Sequence, residues 1–266
     1  MPDYADLHIE RHGDVALVKL NRPEKLNSMG GTLMSDLFRY CNSLNSGDYE
    51  TRAVVLTGEG RAFCAGGDVT GFPSANPNSP RATAAWRRPH PEQSTITAMR
   101  NCDVPIIGAI NGYAVGGGFG LALATDFRIC SEDAVFECSQ LKRGLALDVG
   151  LPFLLQETVG TQRALELAAT RRGITADEAL ALGIVLEVVP NNRLIDRALE
   201  LAQQAAAGPP LGFAATKRLV YLPEADALQR VEESTGAYIA QLFKSEDARE
   251  GAKSFVERRE PEFRGR

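Results

Sequence analysis

The sequence predicts an α/β fold, in which strands and helices alternate, followed by a helical C-terminal region. Three observations favour this prediction. Short continuous apolar runs, such as AVVLT at 53–57, are typical of strands buried on both faces of a parallel sheet. Helical patterns separate these runs, and such alternation indicates right-handed crossovers between parallel strands. After residue 151 the chain becomes mostly helical.

The N-terminal elements follow from local patterns. Residues 7–11 and 15–20 are short extended runs around His12-Gly13-Asp14, so we expect a hairpin. From Thr32 apolar residues recur at helical spacing as far as Leu44, which predicts a helix that ends near Gly47. Residues 70–92 are rich in Pro, Ser and Asn without periodicity, and are predicted to form a long loop.

The remaining elements are assigned in the same way. We expect further strands at 105–111, 126–131, 134–137 and 184–189, and helices at 119–124, 151–159, 161–170, 175–182, 192–207, 210–221, 224–243 and 245–259. Thr175 and Glu178 form a capping-box pattern, and Pro223 is expected to separate two helices.

Composition narrows the possible functions. The 266 residues include 44% hydrophobic and 24% charged side chains, with mean hydropathy −0.16, which is ordinary for a globular protein. The net charge of −5 provides no dominant basic field for nucleic acid or an anionic membrane. Five scattered cysteines and three histidines form no metal-binding pattern or disulfide framework. The acidic N-terminus lacks signal-peptide features and no apolar run reaches 18 residues, so a cytoplasmic location is expected.

Two glycine-rich turns are the strongest functional signal. They have the sequences TGEGRAFCAGGD at 57–68 and INGYAVGGGFG at 110–120, and the second opens an apolar helix. Helix starts present unpaired N–H groups, and glycine lets a ligand approach them closely. Such a site can stabilise an oxyanion. Neither a G-x-G-x-x-G nor a P-loop pattern occurs, which disfavours phosphate binding. The alternative to a binding site is a tight turn whose glycines only permit close packing of helix and sheet.

Four segments together resemble the crotonase, or enoyl-CoA hydratase/isomerase, superfamily. They are NRPEKLNSM at 21–29, TGEGRAFCAGGDV at 57–69, PIIGAINGYAVGGGFGLALATDFRIC at 105–130 and SFVERREPEF at 254–263, in this order. The resemblance spans nearly the whole chain. It implies a crotonase-like spiral of ββα turns over 1–200 and a helical C-terminal trimerisation region over 201–266, in trimers that often pair into hexamers.

The resemblance also implies site residues. The two oxyanion-hole N–H groups fall on Gly67 and Gly117. Coenzyme A, as part of the substrate, would lie along Lys25 and Leu26. The positions that match the remaining coenzyme A contacts are Ala62, Ala65 and Asp68, near the adenine, and Phe255 and Arg258, which would reach the coenzyme A of a neighbouring subunit. The alternatives to these binding roles are that Asp68 is only a turn residue, Lys25 a solvated charge and Phe255 part of the core. No separate cofactor and no metal are expected.

The chain departs from the family at the two glutamates of true hydratases. Those positions are Gly120 and Gln140, and neither side chain is a strong base. Asp148 occupies a place where dienoyl-CoA isomerases and the chlorobenzoyl-CoA dehalogenase branch have an acidic residue. It is the predicted acid/base or nucleophile, and the alternative is a helix cap for the helix starting near Val149.

Other side chains are weaker candidates for the acyl pocket. His90 in the variable loop, Tyr113 and Trp86 are possible lining residues, as is Gln140. Glu137 should face away from Phe136 by strand alternation. Cys138 is expected to be a small buried residue and not a nucleophile.

These observations predict an acyl-CoA enzyme that stabilises a thioester enolate and acts as an isomerase or lyase. Two alternatives stay open: a hydrolase (C–C cleavage) or dehalogenase-like enzyme that uses Asp148, and a non-catalytic acyl-CoA binder. A serine hydrolase is disfavoured because no G-x-S-x-G elbow is present.

Overall fold

A computed structural model describes residues 4–45, 50–68 and 91–266, with the backbone alone at 91–94. The strands within these residues are β1 (Leu7–His12), β2 (Val15–Leu20), β3 (Ala53–Gly58), β4 (Ala62–Cys64), β5 (Ile106–Ile110), β6 (Tyr113–Val115), β7 (Phe127–Ser131), β8 (Val135–Glu137), β9 (Gly173–Thr175) and β10 (Val188–Val189). The helices are α1 (Leu33–Asn45), α2 (Pro91–Arg100), α3 (Gly117–Ala124), α4 (Leu151–Thr170), α5 (Ala176–Ala181), α6 (Leu194–Ala206), α7 (Pro210–Leu242) and α8 (Glu246–Glu257).

A six-stranded sheet has the order β1-β2-β3-β5-β7-β10. The predicted hairpin is confirmed, since β1 pairs antiparallel with β2 from Leu7 opposite Leu20 to His12 opposite Val15. The other pairings are parallel. Every residue of β3 and β5 is buried, as their continuous apolar runs predicted.

A second sheet has the order β4-β6-β8-β9. Strands β4, β6 and β8 are parallel, and β9 pairs antiparallel with β8. The sequence analysis missed β4, β6 and β9, because three residues are too few to show a period and two of these strands lie within the glycine-rich segments. These short parallel strands bring the two glycine-rich turns side by side.

The helices predicted at 151–159 and 161–170 are confirmed, since Gly160, with φ 77° and ψ 160°, breaks α4 into two helical parts. Two other predictions need correction. Pro223 lies inside α7 and does not separate two helices. The strand expected at 184–189 is confined to β10. The cap at Thr175 is confirmed, because its side chain accepts a hydrogen bond from the Glu178 N–H.

The core lies on both faces of the six-stranded sheet. Helix α6 covers one face, and its buried residues follow helical spacing: Leu194, Ala198, Ala202 and Ala206. Helix α3, buried at all eight positions, packs within the larger cluster on the other face. The boundary predicted at residue 200 falls inside α6, which packs on the sheet.

Candidate active site

The two glycine-rich turns contact each other directly. They contain β4 and β6, which are adjacent and parallel. A Cβ atom placed on Gly66 would lie 2.6 Å from the Val115 carbonyl oxygen and 3.4 Å from the Gly117 nitrogen. Gly66 also has φ +84°, in the left-handed region. Only glycine satisfies both requirements without strain, so this residue fixes how closely the turns approach.

Both predicted oxyanion-hole amides lie at this junction. Gly117 is the first residue of α3, where an amide has no partner within the helix. Within residues 4–45, 50–68 and 91–266, no hydrogen bond joins the Gly67 or Gly117 N–H to another protein atom. Gly67 is exposed, whereas Gly117 is buried. Both amides are therefore free to donate to a ligand oxygen.

Two residues that the sequence analysis missed pack around Gly117. The Met29 N–H donates to the Gly66 carbonyl at 2.7 Å, and Met29 forms an isolated parallel bridge with Gly67. From a Cβ atom placed on Gly117, the Met29 sulfur would lie at 3.0 Å and Val149 Cγ2 at 2.9 Å. Met29 was visible only as the last residue of the 21–29 motif, and nothing in its type indicates this contact.

Two of the segments predicted to bind coenzyme A, around Lys25 and around Ala65, are adjacent in the structure. Asn27 is fully buried, and its amide donates to the Glu59 carbonyl at 2.9 Å and to the Ala62 carbonyl at 2.8 Å. The Ala65 N–H donates to the Leu26 carbonyl at 3.0 Å. These bonds hold the exposed Lys25 and its neighbour Leu26 against the first glycine-rich turn.

The other coenzyme A candidates differ in accessibility. Ala62 is fully buried, so its side chain supports the turn from within. Asp68 is partly exposed and lies 3.9 Å from the Arg22 guanidinium. Phe255 is half-exposed on α8, under the Arg143 guanidinium of the same chain, and Arg258 ends α8 in a left-handed conformation.

Asp148 and Gln140, eight residues apart in sequence, are joined by a hydrogen bond. Gln140 Nε2 donates to Asp148 Oδ1 at 2.8 Å. Gln140 is buried, and its Oε1 has no partner among the residues that the structure describes. Burial raises the pKa of the Asp148 carboxyl, although donation by Gln140 lowers it. Helix α4 has Gly150 as its N-cap, so Asp148 does not cap it.

Gly120 accommodates the segment that presents Asp148. A Cβ atom placed on Gly120 would lie 2.2 Å from the Val149 carbonyl oxygen. Val149 itself has φ 54°, which is rare for a β-branched residue and indicates strain. The Val149 carbonyl therefore occupies the space into which a side chain at position 120 would project, and Asp148 directly precedes this residue in the chain.

The weaker candidates take other positions. Tyr113 is exposed at the start of β6, whereas Gly117 follows the other end of that strand. Glu137 is paired with Lys142 at 2.9 Å. Cys138 is buried, which raises the pKa of its thiol to about 12 and keeps it protonated. His90 and Trp86 lie outside the described residues.

No helix in the described part of the chain is long and apolar enough to span a bilayer.

Comparison with known proteins shows to which family this chain belongs. The model of the family described as enoyl-CoA hydratase/isomerase matches residues 10–266. A probable enoyl-CoA hydratase of Mycobacterium leprae is 37% identical over 234 residues, which cover 86% of this chain and 79% of the relative.

Two solved structures agree with this match. The carnitinyl-CoA hydratase from Mycobacterium avium superimposes with TM-score 0.85 at 33% identity, covering 99% of this chain and 100% of that one. A monofunctional enoyl-CoA isomerase from M. smegmatis gives TM-score 0.70 at 33% identity, covering 87% and 99%. This chain therefore belongs to the enoyl-CoA hydratase/isomerase family and has the crotonase fold.

Proposed function

We propose that this acyl-CoA enzyme of the enoyl-CoA hydratase/isomerase type is an isomerase, in which Asp148 moves a proton along the acyl chain. The Gly67 and Gly117 N–H groups would bind the thioester oxygen. The observation that carries the proposal is the Gln140–Asp148 hydrogen bond, in a segment whose next residue, Val149, packs on Gly117.

The proposed reaction needs one base and one oxyanion hole. The Asp148 carboxylate removes a proton from a carbon whose released electron pair is conjugated with the thioester carbonyl. That electron pair moves onto the thioester oxygen. Two N–H donors stabilise that negative charge more strongly than the neutral carbonyl, which lowers the barrier. When the carbonyl reforms, Asp148 returns the proton to a different carbon, and the double bond has moved without addition of water.

The arrangement disfavours hydration by paired glutamates. That reaction needs two groups that hold water and transfer protons. Gly120 has no side chain, and the Val149 carbonyl occupies the adjacent space. Gln140 is an amide that cannot accept a proton at neutral pH. Asp148 therefore remains as the acid/base of the proposed site.

Asp148→Asn tests this proposal. The variant should fold, because the Gln140 amide can rotate so that its unpaired Oε1 accepts from the new amide. We expect turnover to fall by roughly 10²- to 10⁴-fold, the usual contribution of a general base, while acyl-CoA binding by calorimetry persists. Turnover should be assayed on acyl-CoAs with double bonds at different positions. Glu137→Gln, the same chemical change at a carboxylate paired with Lys142, is the matched control and should stay active.

The pH profile gives an independent readout. Because the pKa of Asp148 is raised from its ordinary value of 3.8, activity should be present at higher pH and lost as pH falls through the raised pKa. Gln140→Leu removes a donor that lowers this pKa, so the acid limb of kcat/KM should move to still higher pH. A wild-type-like rate in Asp148→Asn, or an acid limb unmoved by Gln140→Leu, would contradict the proposal.

A hydrolytic reaction is the second candidate, and the unpaired Gln140 Oε1 favours it. A water that donated to this buried acceptor would lie beside the Asp148 carboxyl, which could activate it or attack the substrate itself. Turnover in ¹⁸O-labelled water separates the candidates. Label in a released acid or in Asp148 indicates hydrolysis, whereas an unlabelled isomerised acyl-CoA indicates the proton shift.

A further inference from the structure

Helix α8 contacts the turn that contains Gln140 through backbone atoms of both segments. A Cβ atom placed on Gly251 of α8 would lie 2.4 Å from the Arg143 carbonyl carbon and 2.5 Å from its Cα. In the other direction, a Cβ atom placed on Gly144 would lie 2.6 Å from the Asp247 carbonyl carbon. A glycine on each side therefore permits direct contact between the two backbones, and any side chain at either position would separate them.

A side-chain contact strengthens the same interface. The Arg143 guanidinium carbon lies 4.0 Å from the centre of the Phe255 ring, one helical turn beyond Gly251. Arg143 is partly buried, and this burial lowers the pKa of its guanidinium. Contact between a guanidinium and an aromatic face is attractive, and it fixes the end of the turn against α8.

The turn transmits this contact to Asp148. Residues Gln140–Arg143 form one 3₁₀ turn. It is closed by hydrogen bonds from the Gly144 N–H to the Leu141 carbonyl at 3.2 Å and from the Leu145 N–H to the Gln140 carbonyl at 3.1 Å. Arg143 therefore belongs to the same hydrogen-bonded turn as Gln140, which donates to Asp148 Oδ1 at 2.8 Å.

We propose that α8 positions Asp148 through the Gln140 turn, and that Gly251 is a positioning residue for the reaction although it lies in the C-terminal helix. The inference rests on the proposed function, because it assigns α8 a role in holding the acid/base. The competing explanation is that α8 merely packs there, in which case its loss affects stability alone.

The experiment uses the full-length enzyme with Gly251→Ala, which places a methyl group against the Arg143 backbone. We expect kcat to fall by roughly 10- to 100-fold, the range produced by displacing a catalytic group by about 1 Å, while binding of a saturated acyl-CoA is unchanged. The acid limb of the pH profile should move to higher pH, because Gln140 donates less well to Asp148. Lys253→Ala is the matched control, since this exposed side chain on the same helix forms a 3.9 Å pair with Glu257, and it should behave as wild type.

A double-mutant cycle with Gln140→Leu separates positioning from packing. If α8 acts through Gln140, Gly251→Ala adds no further movement of the acid limb in the Gln140→Leu background. Arg143→Met, which keeps an apolar stem, serves as a second variant if Gly251→Ala does not fold. A wild-type kcat and acid limb in Gly251→Ala, or additive shifts in the double variant, would overturn the inference. Failure of the proposed function is seen separately, as turnover retained in Asp148→Asn.

Discussion

At the scale of single residues, three positions distinguish the proposed site from that of a paired-glutamate hydratase. Gly120 and Gln140 stand where the family resemblance places the two glutamates, and Asp148 supplies a carboxyl whose pKa is raised by burial. These residues depend on one another. Gly120 leaves room for the Val149 carbonyl, and Val149 has a strained backbone conformation. The preceding residue, Asp148, accepts a hydrogen bond from Gln140. The absence of a side chain at position 120 is therefore linked to the position of Asp148.

A substitution at Gly120 tests this dependence. Gly120→Glu restores the residue type of a hydratase, yet its Cβ would lie 2.2 Å from the Val149 carbonyl oxygen. We expect no gain of hydratase activity, and destabilisation of about 1–3 kcal/mol, the usual cost of overpacking. Thermal melting and hydration assays measure both outcomes. Gly212→Ala on α7, where the nearest neighbour would be at 3.4 Å, is the control and should not destabilise. Hydratase activity in a stable Gly120→Glu enzyme would refute this account.

At the scale of elements, the pairing of β4 with β6 aligns the two glycine-rich turns. Each strand has three residues, and neither could be predicted from periodicity. The Met29 backbone extends the same arrangement by bridging to Gly67. The close approach of the two turns therefore depends on strands too short to be recognised from the sequence.

Gly66→Ala tests whether the turns must approach this closely. The new methyl group would lie 2.6 Å from the Val115 carbonyl oxygen and should displace one amide from the other. We expect kcat to fall by roughly 10²- to 10³-fold, the effect of losing one oxyanion donor. Gly13→Ala is the matched control, because it has φ +67° and no atom within 4 Å of its Cβ position. It should incur the same conformational penalty without loss of activity, and equal kcat values for the two variants would exclude a role for Gly66.

At the scale of the whole molecule, α7 exposes a series of large apolar side chains. They are Leu211, Leu219, Val220, Leu222 and Tyr238, each at least 60% exposed in the single chain. Several exposed large apolar side chains on one helix are typical of a subunit interface. The trimer or hexamer implied by the family resemblance thus remains a prediction.

Light scattering tests this assembly. We expect the wild-type chain to have a multiple of three subunits, and Leu219→Lys with Leu222→Lys to dissociate it, because two buried charges would oppose association. Leu165→Lys, a similarly exposed leucine on α4, should leave the assembly intact. A monomeric wild-type chain would contradict the prediction.

The sequence by itself determined the family, the buried parallel strands, the two glycine-rich turns and the carboxyl at Asp148. Apolar runs, glycines and motif order are local properties, and they can be recognised without knowing what each residue contacts. The sequence also showed that residues 120 and 140 lack a base.

Only the tertiary structure decided how these parts meet. The contact of Gly66 with the second turn, the Gln140–Asp148 bond, the backbone of Val149 against Gly120 and the packing of α8 on the 140–144 turn join residues distant in sequence or separated by a turn. None of these contacts has a periodic signal, because each depends on backbone positions set by the packing of other elements. Pro223 within α7 shows the same limit, since the helix continues through a residue whose local tendency is to end it.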